Sequence, residues 1–378
     1  MTRRLDADVV VIGGGIVGLA CADELSARGK RVVVLERERA GAGAGKVAAG
    51  MLAPVSESEA EEPAFVELAL ASCDMYEAWI QGIEAGSGLR CGYRREGSLL
   101  LALHRDHEEE LERLAAMQRR LGLASQSFTR DEVIEKEPYV SPRVVGGLFA
   151  PNDRQVDPRR LARALAASLT ARGATILEGH TARPLLEGAR AAGAATDEAE
   201  VRAERVLLAG GVWSGAVWPE EAGLLPLRPV KGQLLRLRGP SPEGLIRHVV
   251  RTPDVYLVPR EDGELLIGAT SEEQGYDTSV TVWAVMDLLR EAWRVLPGIA
   301  ELMISEMQAG LRPTLRDHLP AIGATRVQGL FVATGHYRHG VMLAPITARL
   351  LADAMDGTGS EMQRAFDPQR FAVEARSG

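Results

Sequence analysis

A glycine turn set between two apolar runs constrains this chain more than any other feature. Asp8 to Ile12 is an apolar run, Gly13, Gly15 and Gly18 follow in the spacing GxGxxG, and from Ile16 to Arg28 the apolar period is helical. Gly29 stops that helix, and a second strand from Arg31 to Leu35 ends on Glu36. The result is a βαβ unit of about 30 residues. Gly13 permits the tight turn, Gly15 lets a pyrophosphate come up to the helix N-terminus, and Gly18 with Ala22 lets helix and strand pack closely. Glu36 alone would read as a surface charge. At the end of the second strand of such a unit it is placed to accept hydrogen bonds from ribose hydroxyls, and the whole marks a dinucleotide site.

The rest of the composition fits a small-ligand protein. With 378 residues, 46% hydrophobic and 25% charged, the chain has the make-up of a folded globular protein of two domains, or one large domain with an insertion. Lys plus Arg number 44 against 52 Asp plus Glu, a formal net charge of −8, which argues against nucleic acid or an anionic membrane as the main partner. The longest apolar stretch, Val9 to Ala22, is shorter than the roughly 20 residues of a membrane helix and carries Gly13, Gly14, Gly15 and Gly18. Asp6 and Asp8 stand where the apolar region of a signal peptide would begin, so a cytoplasmic location is expected. Cys21, Cys73 and Cys91 fall into no CxxC or paired-His pattern, so neither a disulfide framework nor a zinc site is expected. His104 and His107, without a third ligand at helical spacing, read as a solvated helix face.

Further along, the period is helical from Pro63 to Glu84, strand-like from Gly97 to Leu103 and helical through the charged run Asp106 to Leu121. Asp157 and Pro158 open a helix to Arg172 as cap and first-turn proline, followed by strands at Ala174 to Glu178 and Glu204 to Ala209. Gly188 to Glu200, GARAAGAATDEAE, reads as a surface turn. Arg228 to Gly239, His248 to Pro259 and Glu264 to Ala269 are strand-like with no helix between them, which predicts a separate antiparallel sheet. A helix from about Val280 to Leu296, a strand from Gly329 to Ala333 and a last helix from about Ala344 to Met355 close the chain. The architecture expected is two domains woven together.

Ala40 to Val47 imitates a phosphate-binding P-loop, but Ala40 replaces the first glycine and Val47 the metal-binding Ser or Thr, so ATP chemistry is not indicated. Other segments carry a resemblance that spans nearly the whole chain. The opening GGGIVGLACADELSARGKRVVVLER, AAGMLAP at Ala48 to Pro54, LLAGGVWSG at Leu207 to Gly215 and AGLRPTLRDHLPAIG at Ala309 to Gly323 resemble the D-amino-acid-oxidase-like flavoenzyme family. RPVKGQLL at Arg228 to Leu235, VYLVPR at Val255 to Arg260 and ATGHYRHGVMLAP at Ala333 to Pro345, in this order, resemble its glycine oxidase branch.

The resemblance implies an α/β fold in which a Rossmann-like FAD-binding domain (1–90, 150–225 and 308–378) is interleaved with an α+β, antiparallel-sheet substrate domain (91–149 and 226–307). It implies a non-covalent FAD, because no cysteine stands near Thr314, where the sarcosine-oxidase branch attaches its flavin. At the cofactor it places Gly13, Gly15, Ile16, Val17 and Gly18 by the pyrophosphate, Glu36 and Arg37 by the adenosine, and Ala49, Gly50 and Met51 by the flavin ring. Arg183 and Gly210 join them, with His336, Tyr337, Arg338, His339, Gly340, Val341 and Met342 along the pyrimidine edge. That last stretch also has a physical reading. Pro345 fits only the first turn of the closing helix and no Ser, Thr, Asp or Asn precedes it as a cap, so N–H groups around Gly340 to Leu343 are open to a ligand whose negative charge the helix dipole favours. The plainer alternative is an uncapped helix start. Gly45, Lys46 and Val47 stand where small hydroxyl residues are usual, and Lys46 is a candidate to meet a phosphate directly.

The implied activity is oxidative deamination of glycine, with sarcosine and small D-amino acids, to the imine while O2 becomes H2O2, the glycine imine serving the thiazole of thiamine. Two alternatives stay open: an amino-acid dehydrogenase of the same fold that passes electrons to a quinone or partner, and a non-catalytic FAD-binding subunit. With the cofactor as electron acceptor, no acid or base residue is required, and the protein's task is positioning. A carboxylate calls for a planar Arg fork with a hydroxyl partner, and Arg312, Tyr256 and Arg338 match the substrate-binding positions of the family. The plainer readings are a surface pair of Arg312 with Asp317, a core role for Tyr256, and a flavin-edge contact only for Arg338. Ser271, where some relatives carry a larger apolar residue, leaves room for substrates bigger than glycine. By resemblance the protein is a homo-oligomer, with a homotetramer as the form implied.

Overall fold

The computed structural model describes residues 3–57, 63–239 and 244–372. Alternation decides its first layer. β1 (Arg3–Ile12) buries Val9 and Val11 in one apolar core and Val10 and Ile12 in another, on the opposite face. A strand buried on both faces reads as an unbroken apolar run and belongs in a parallel sheet covered on two sides.

The chain continues through α1 (Ile16–Ala27), β2 (Val32–Glu36), the short α2 (Ala44–Val47), β3 (Met51–Leu52) and the long α3 (Pro63–Ser87). Next come β4 (Ser98–Ala102), α4 (Arg105–Arg120), β5 (Gln126–Thr129), α5 (Arg130–Lys136), β6 (Gly146–Ala150), β7 (Arg154–Gln155) and α6 (Pro158–Ala171). β8 (Thr175–Glu178), β9 (Arg183–Glu187), β10 (Arg190–Ala195) and β11 (Ala199–Leu208) lead to β12 (Arg228–Arg238), β13 (Val249–Arg251), β14 (Tyr256–Pro259) and β15 (Glu264–Gly268). α7 (Val282–Val295), β16 (Met303–Thr314), β17 (Ala321–Ala324), β18 (Leu330–Thr334) and α8 (Ala344–Asp356) follow.

The first sheet has the order β17-β18-β11-β1-β2-β8, with β10 and β9 added beside β11. Its β11, β1, β2, β8 and β18 pairings are parallel, and α1, α3, α6 and α8 supply the core on one face. The second sheet has the order β16-β12-β15-β14-β13-β4-β6-β5 and is antiparallel except where β13 runs parallel to β4. This is the mixed α/β architecture expected.

Three local expectations are corrected. Gly188 to Glu200 is not a surface turn: it holds β10 and the start of β11, because Ala191 and Ala194 are fully buried and packing overrides the weak strand preference of Ala and Gly. His248 to Pro259 is not one strand but β13 and β14, separated where Thr252 Oγ1 accepts from Val255 N–H at 3.2 Å. His107 is not on a solvated face. It is buried, 3.7 Å ring to ring from His104 and 3.6 Å from the Asp254 carboxylate.

Candidate active site

Close packing of backbone shapes the glycine turn. Gly13 has φ +113°, and a Cβ there would strike Ala209 O, next to Gly210; a Cβ on Gly18 would strike Gly13 O. Gly15 differs, since nothing lies within 4 Å of where its Cβ would stand. It is also the cap position of α1, with no side-chain cap, so the N-terminal amides of α1 face open space. Ile16 is buried beneath Gly45 of α2, and Val17 faces Gly340. Glu36, at the end of β2, accepts from Gly14 N–H at 2.6 Å and Glu38 N–H at 2.9 Å. Beside it, the Arg37 guanidinium lies 4.1 Å from the centre of the Trp213 ring. His180 N–H donates to Glu36 O at 2.9 Å, which brings the start of β9 and exposed Arg183 to the same rim.

A second uncapped helix start, that of α8, follows the Gly340 segment that Val17 approaches. Leu343 caps α8 without a side-chain bond and Pro345 occupies the first turn. Ser72 Oγ donates to Met342 O at 2.7 Å and Tyr76 OH to Val341 O at 2.8 Å, so α3 fixes these peptides by their carbonyls. The open set is narrower than expected: Leu343 N–H donates to His339 O at 2.8 Å and Ala344 N–H to Val341 O at 3.3 Å, which leaves the amides of Gly340, Val341 and Met342. His336 is buried, its Nε2 3.0 Å from Thr347 Oγ1, and burial with the neighbouring His339 pushes it down to about 3. Ala49 is buried, and its carbonyl accepts from Arg260 Nη2. Gly50, at φ +76°, accepts from Val156 N–H at 2.9 Å and Met51 pairs with Gln155. Lys46 is exposed on α2, within electrostatic reach of Glu306, and Val47 packs on Gly310.

The second sheet carries two of the residues expected at the substrate, Tyr256 in β14 and Arg312 in β16. Tyr337 N–H donates to Pro313 O at 2.7 Å and Thr314 bridges to His336, so the strand carrying Arg312 is joined to the pyrimidine-edge loop. Arg312 Nη1 donates to Thr270 O at 3.0 Å and Lys231 O at 3.3 Å, the guanidinium lying over Gly232, where any side chain would collide with it. One nitrogen is pinned, and among the described residues the other donors meet no hydrogen-bond acceptor. Asp317 is not its partner, since Asp317 pairs with Arg370 at 2.7 Å. Tyr256 lays its ring over Gly268; burial raises its hydroxyl, Arg312 opposes that and Glu57 adds to it. Arg338 Nε donates to His339 Nε2 at 3.3 Å.

Sequence reasoning missed two charged residues here. Glu57, its side chain 8% exposed, meets Arg251 Nη1 at 3.2 Å and His339 Nδ1 at 3.5 Å. Burial raises the Glu57 carboxyl, yet Arg251, His339, Arg338 and Arg312 outweigh it and hold it below its ordinary range. His339 is pushed down to about 4 by burial, opposed by Glu57 and reinforced by the arginines. Neither Glu57 nor Arg251 lies in a periodic or motif position that could have flagged it. Among the described residues no group of three His, Cys, Asp or Glu could hold a metal, and no helix is long and apolar enough to cross a membrane.

A doubly covered parallel sheet with an open glycine turn, uncapped helix ends and an arginine-lined second sheet is the build of a dinucleotide-dependent oxidoreductase of α/β type. Residues 8–354 match the family described as FAD dependent oxidoreductase, and the chain belongs to it. It is 33% identical to the glycine oxidase of Geobacillus kaustophilus over 100% of this chain and 99% of that one. The crystal structure of glycine oxidase from that organism superposes with a TM-score of 0.90, covering 97% and 99% of the two chains at 32% identity. The chain is also 38% identical to the bifunctional protein ThiO/ThiG of Trichormus variabilis over 99% of its own residues, and spans about half of that protein, 56%. A third relative is the hydrogen cyanide synthase subunit HcnC of Pseudomonas aeruginosa, 31% identical over 91% of each chain. The cofactor is FAD. The site fits it: the empty space at Gly15 and the open amides of α1 suit a pyrophosphate, Glu36 offers a carboxylate to a ribose, and the Gly340 to Met342 amides suit the electron-rich edge of a flavin.

Proposed function

We propose that the chain catalyses oxidative deamination of glycine, and of sarcosine and small D-amino acids, to the imine, with O2 reduced to H2O2. The carrying observation is Arg312, pinned through one nitrogen beside the pyrimidine-edge loop with donors to spare. Bound FAD supplies the two-electron acceptor. The substrate loses one hydrogen from Cα and one from nitrogen with two electrons, and O2 gains both as H2O2. Arg312 takes the carboxylate through its planar fork and Tyr256 adds one hydrogen bond, which fixes Cα in the cleft. Arg338 closes the near edge. The glycine oxidase and ThiO names of the relatives support this substrate, and the imine of glycine would serve the thiazole of thiamine. We also propose non-covalent FAD, a cytoplasmic homo-oligomer, and the division into a flavin domain (1–90, 150–225, 308–378) and a substrate domain (91–149, 226–307), whose final tail 373–378 lies outside the described residues.

The alternative that the sequence left open is an amino-acid dehydrogenase of the same fold that passes electrons to a quinone or partner. Anaerobic mixing with glycine, sarcosine and D-alanine, followed by flavin absorbance, tests the proposal. The expected outcome is bleaching by glycine and, in air, peroxide in step with amine consumed. Bleaching without peroxide, beside rapid dye reduction, moves the assignment to the dehydrogenase; no bleaching by any amine overturns both.

A further inference from the structure

Three guanidinium groups, Arg251, Arg312 and Arg338, lie within electrostatic reach of the Glu57 carboxylate. It is almost wholly buried and both its oxygens are committed, Oε1 to Arg251 and Oε2 towards His339. His339 carries no charge near neutral pH, so the charge that answers Glu57 is on the arginines. Arg251 Nη1 also donates to Ser56 Oγ at 3.2 Å, which holds the end of β13 against the backbone leading to Glu57. A charge so placed acts on whatever enters, because a desolvated pocket screens little.

We propose that Glu57 is a specificity-determining residue that restricts the pocket to amines bearing a single carboxylate. This rests on the reading of Arg312 as the carboxylate anchor. A monocarboxylate spends its one charge on Arg312, while Glu57 satisfies Arg251. A second carboxylate on the substrate finds Arg251 already taken and meets the like charge of Glu57. Removing the Glu57 charge frees Arg251 to accept that second carboxylate; removing Arg251 leaves Glu57 uncompensated and deepens the exclusion. The two substitutions therefore push selectivity in opposite directions, which a merely structural role would not do.

The test compares sarcosine with iminodiacetate, both N-substituted glycines that differ by one carboxylate, using the FAD-loaded enzyme. Glu57→Gln is expected to raise the kcat/KM ratio of iminodiacetate over sarcosine by about tenfold or more, and Arg251→Gln to lower it. Glu57→Asp, which keeps the charge, is expected to hold the ratio within about threefold of the parent. A readout independent of turnover is the ratio of Kd for malonate and acetate, read from the perturbed flavin spectrum, which should move the same way. Should Glu57→Gln fail to load FAD, the Arg251→Gln ratio decides. Ratios unmoved in both variants, with FAD intact, overturn the proposal. A parent enzyme that no amine reduces overturns the oxidase reading instead, and malonate against acetate still decides the role of Glu57.

Discussion

On the proposed reading, Arg312 and Tyr256 divide the task of holding the substrate unequally. Arg312 offers a charge-assisted pair to a carboxylate in a partly buried site, and losing such a pair costs on the order of 2 to 5 kcal/mol. Arg312→Ala should therefore lower kcat/KM for glycine roughly 30-fold to several thousandfold. Tyr256→Phe removes one neutral donor, and about 0.5 to 2 kcal/mol is expected. Steady-state kinetics with the FAD content held equal checks both; near-normal kcat/KM in Arg312→Ala would move the anchor to Arg338. The buried histidines give a second prediction. His336 and His339 titrate near 3 and 4 in the folded protein because burial disfavours the cation, against about 6.5 when unfolded. The unfolded chain then binds protons that the native chain refuses, so their contribution is complete above about pH 6.5 and is lost as pH falls towards 4. Asp153 runs the other way, since burial raises its carboxyl to about 6 despite Ser56, Ser98 and the Val55 amide. At pH 5 each His costs about 2 kcal/mol and Asp153 returns about 1 kcal/mol, so urea unfolding should show a net loss of a few kcal/mol relative to pH 7.5. Equal stability at the two values would contradict the buried neutral rings.

At the scale of elements, what the sequence announces is what local chemistry alone can decide. α6 is such a case: the Asp157 carboxylate accepts from Arg159 N–H at 2.9 Å and Arg160 N–H at 3.1 Å, with Pro158 in the first turn. Asp157→Ala should cost about 1 kcal/mol, in the range of 0.5 to 2, read as a lower urea midpoint without a change in slope. The Asp157–Arg160 ion pair at 3.5 Å goes with it but adds little, being partly exposed. β10 is the opposite case. Its Arg-Ala-Ala-Gly-Ala-Ala has no strand preference, and it is a strand because β9 and β11 flank it. Arg312 and Tyr256 could be singled out as candidates because each sits in a distinctive local motif. Glu57 and Arg251 were not, because they sit far apart in the chain and only the folded sheet places the end of β13 against the segment after β3.

At the scale of the whole molecule, the weaving of two sheets was legible from the break in βα alternation, but the parallel pairing of β13 with β4 was not, since it joins Val249 to Ser98 across the chain. That weaving also decides how the flavin is held. A thioether link to a flavin needs a thiolate beside the ring, and none of the three cysteines favours the thiolate form. Cys21 and Cys91 are fully buried, Cys21 within α1, and burial raises all three thiols, Cys91 to about 12. Thr314, in the segment where the resemblance would put a flavin-linking cysteine, is buried, its Oγ1 3.3 Å from His318 Nδ1. The protein should therefore purify yellow with about one FAD per chain, and acid precipitation should leave the colour in the supernatant. Yellow colour that stays with the pellet after washing would show a covalent bond and overturn non-covalent binding, and a chain that takes up no flavin on reconstitution would overturn the fit of the cleft itself.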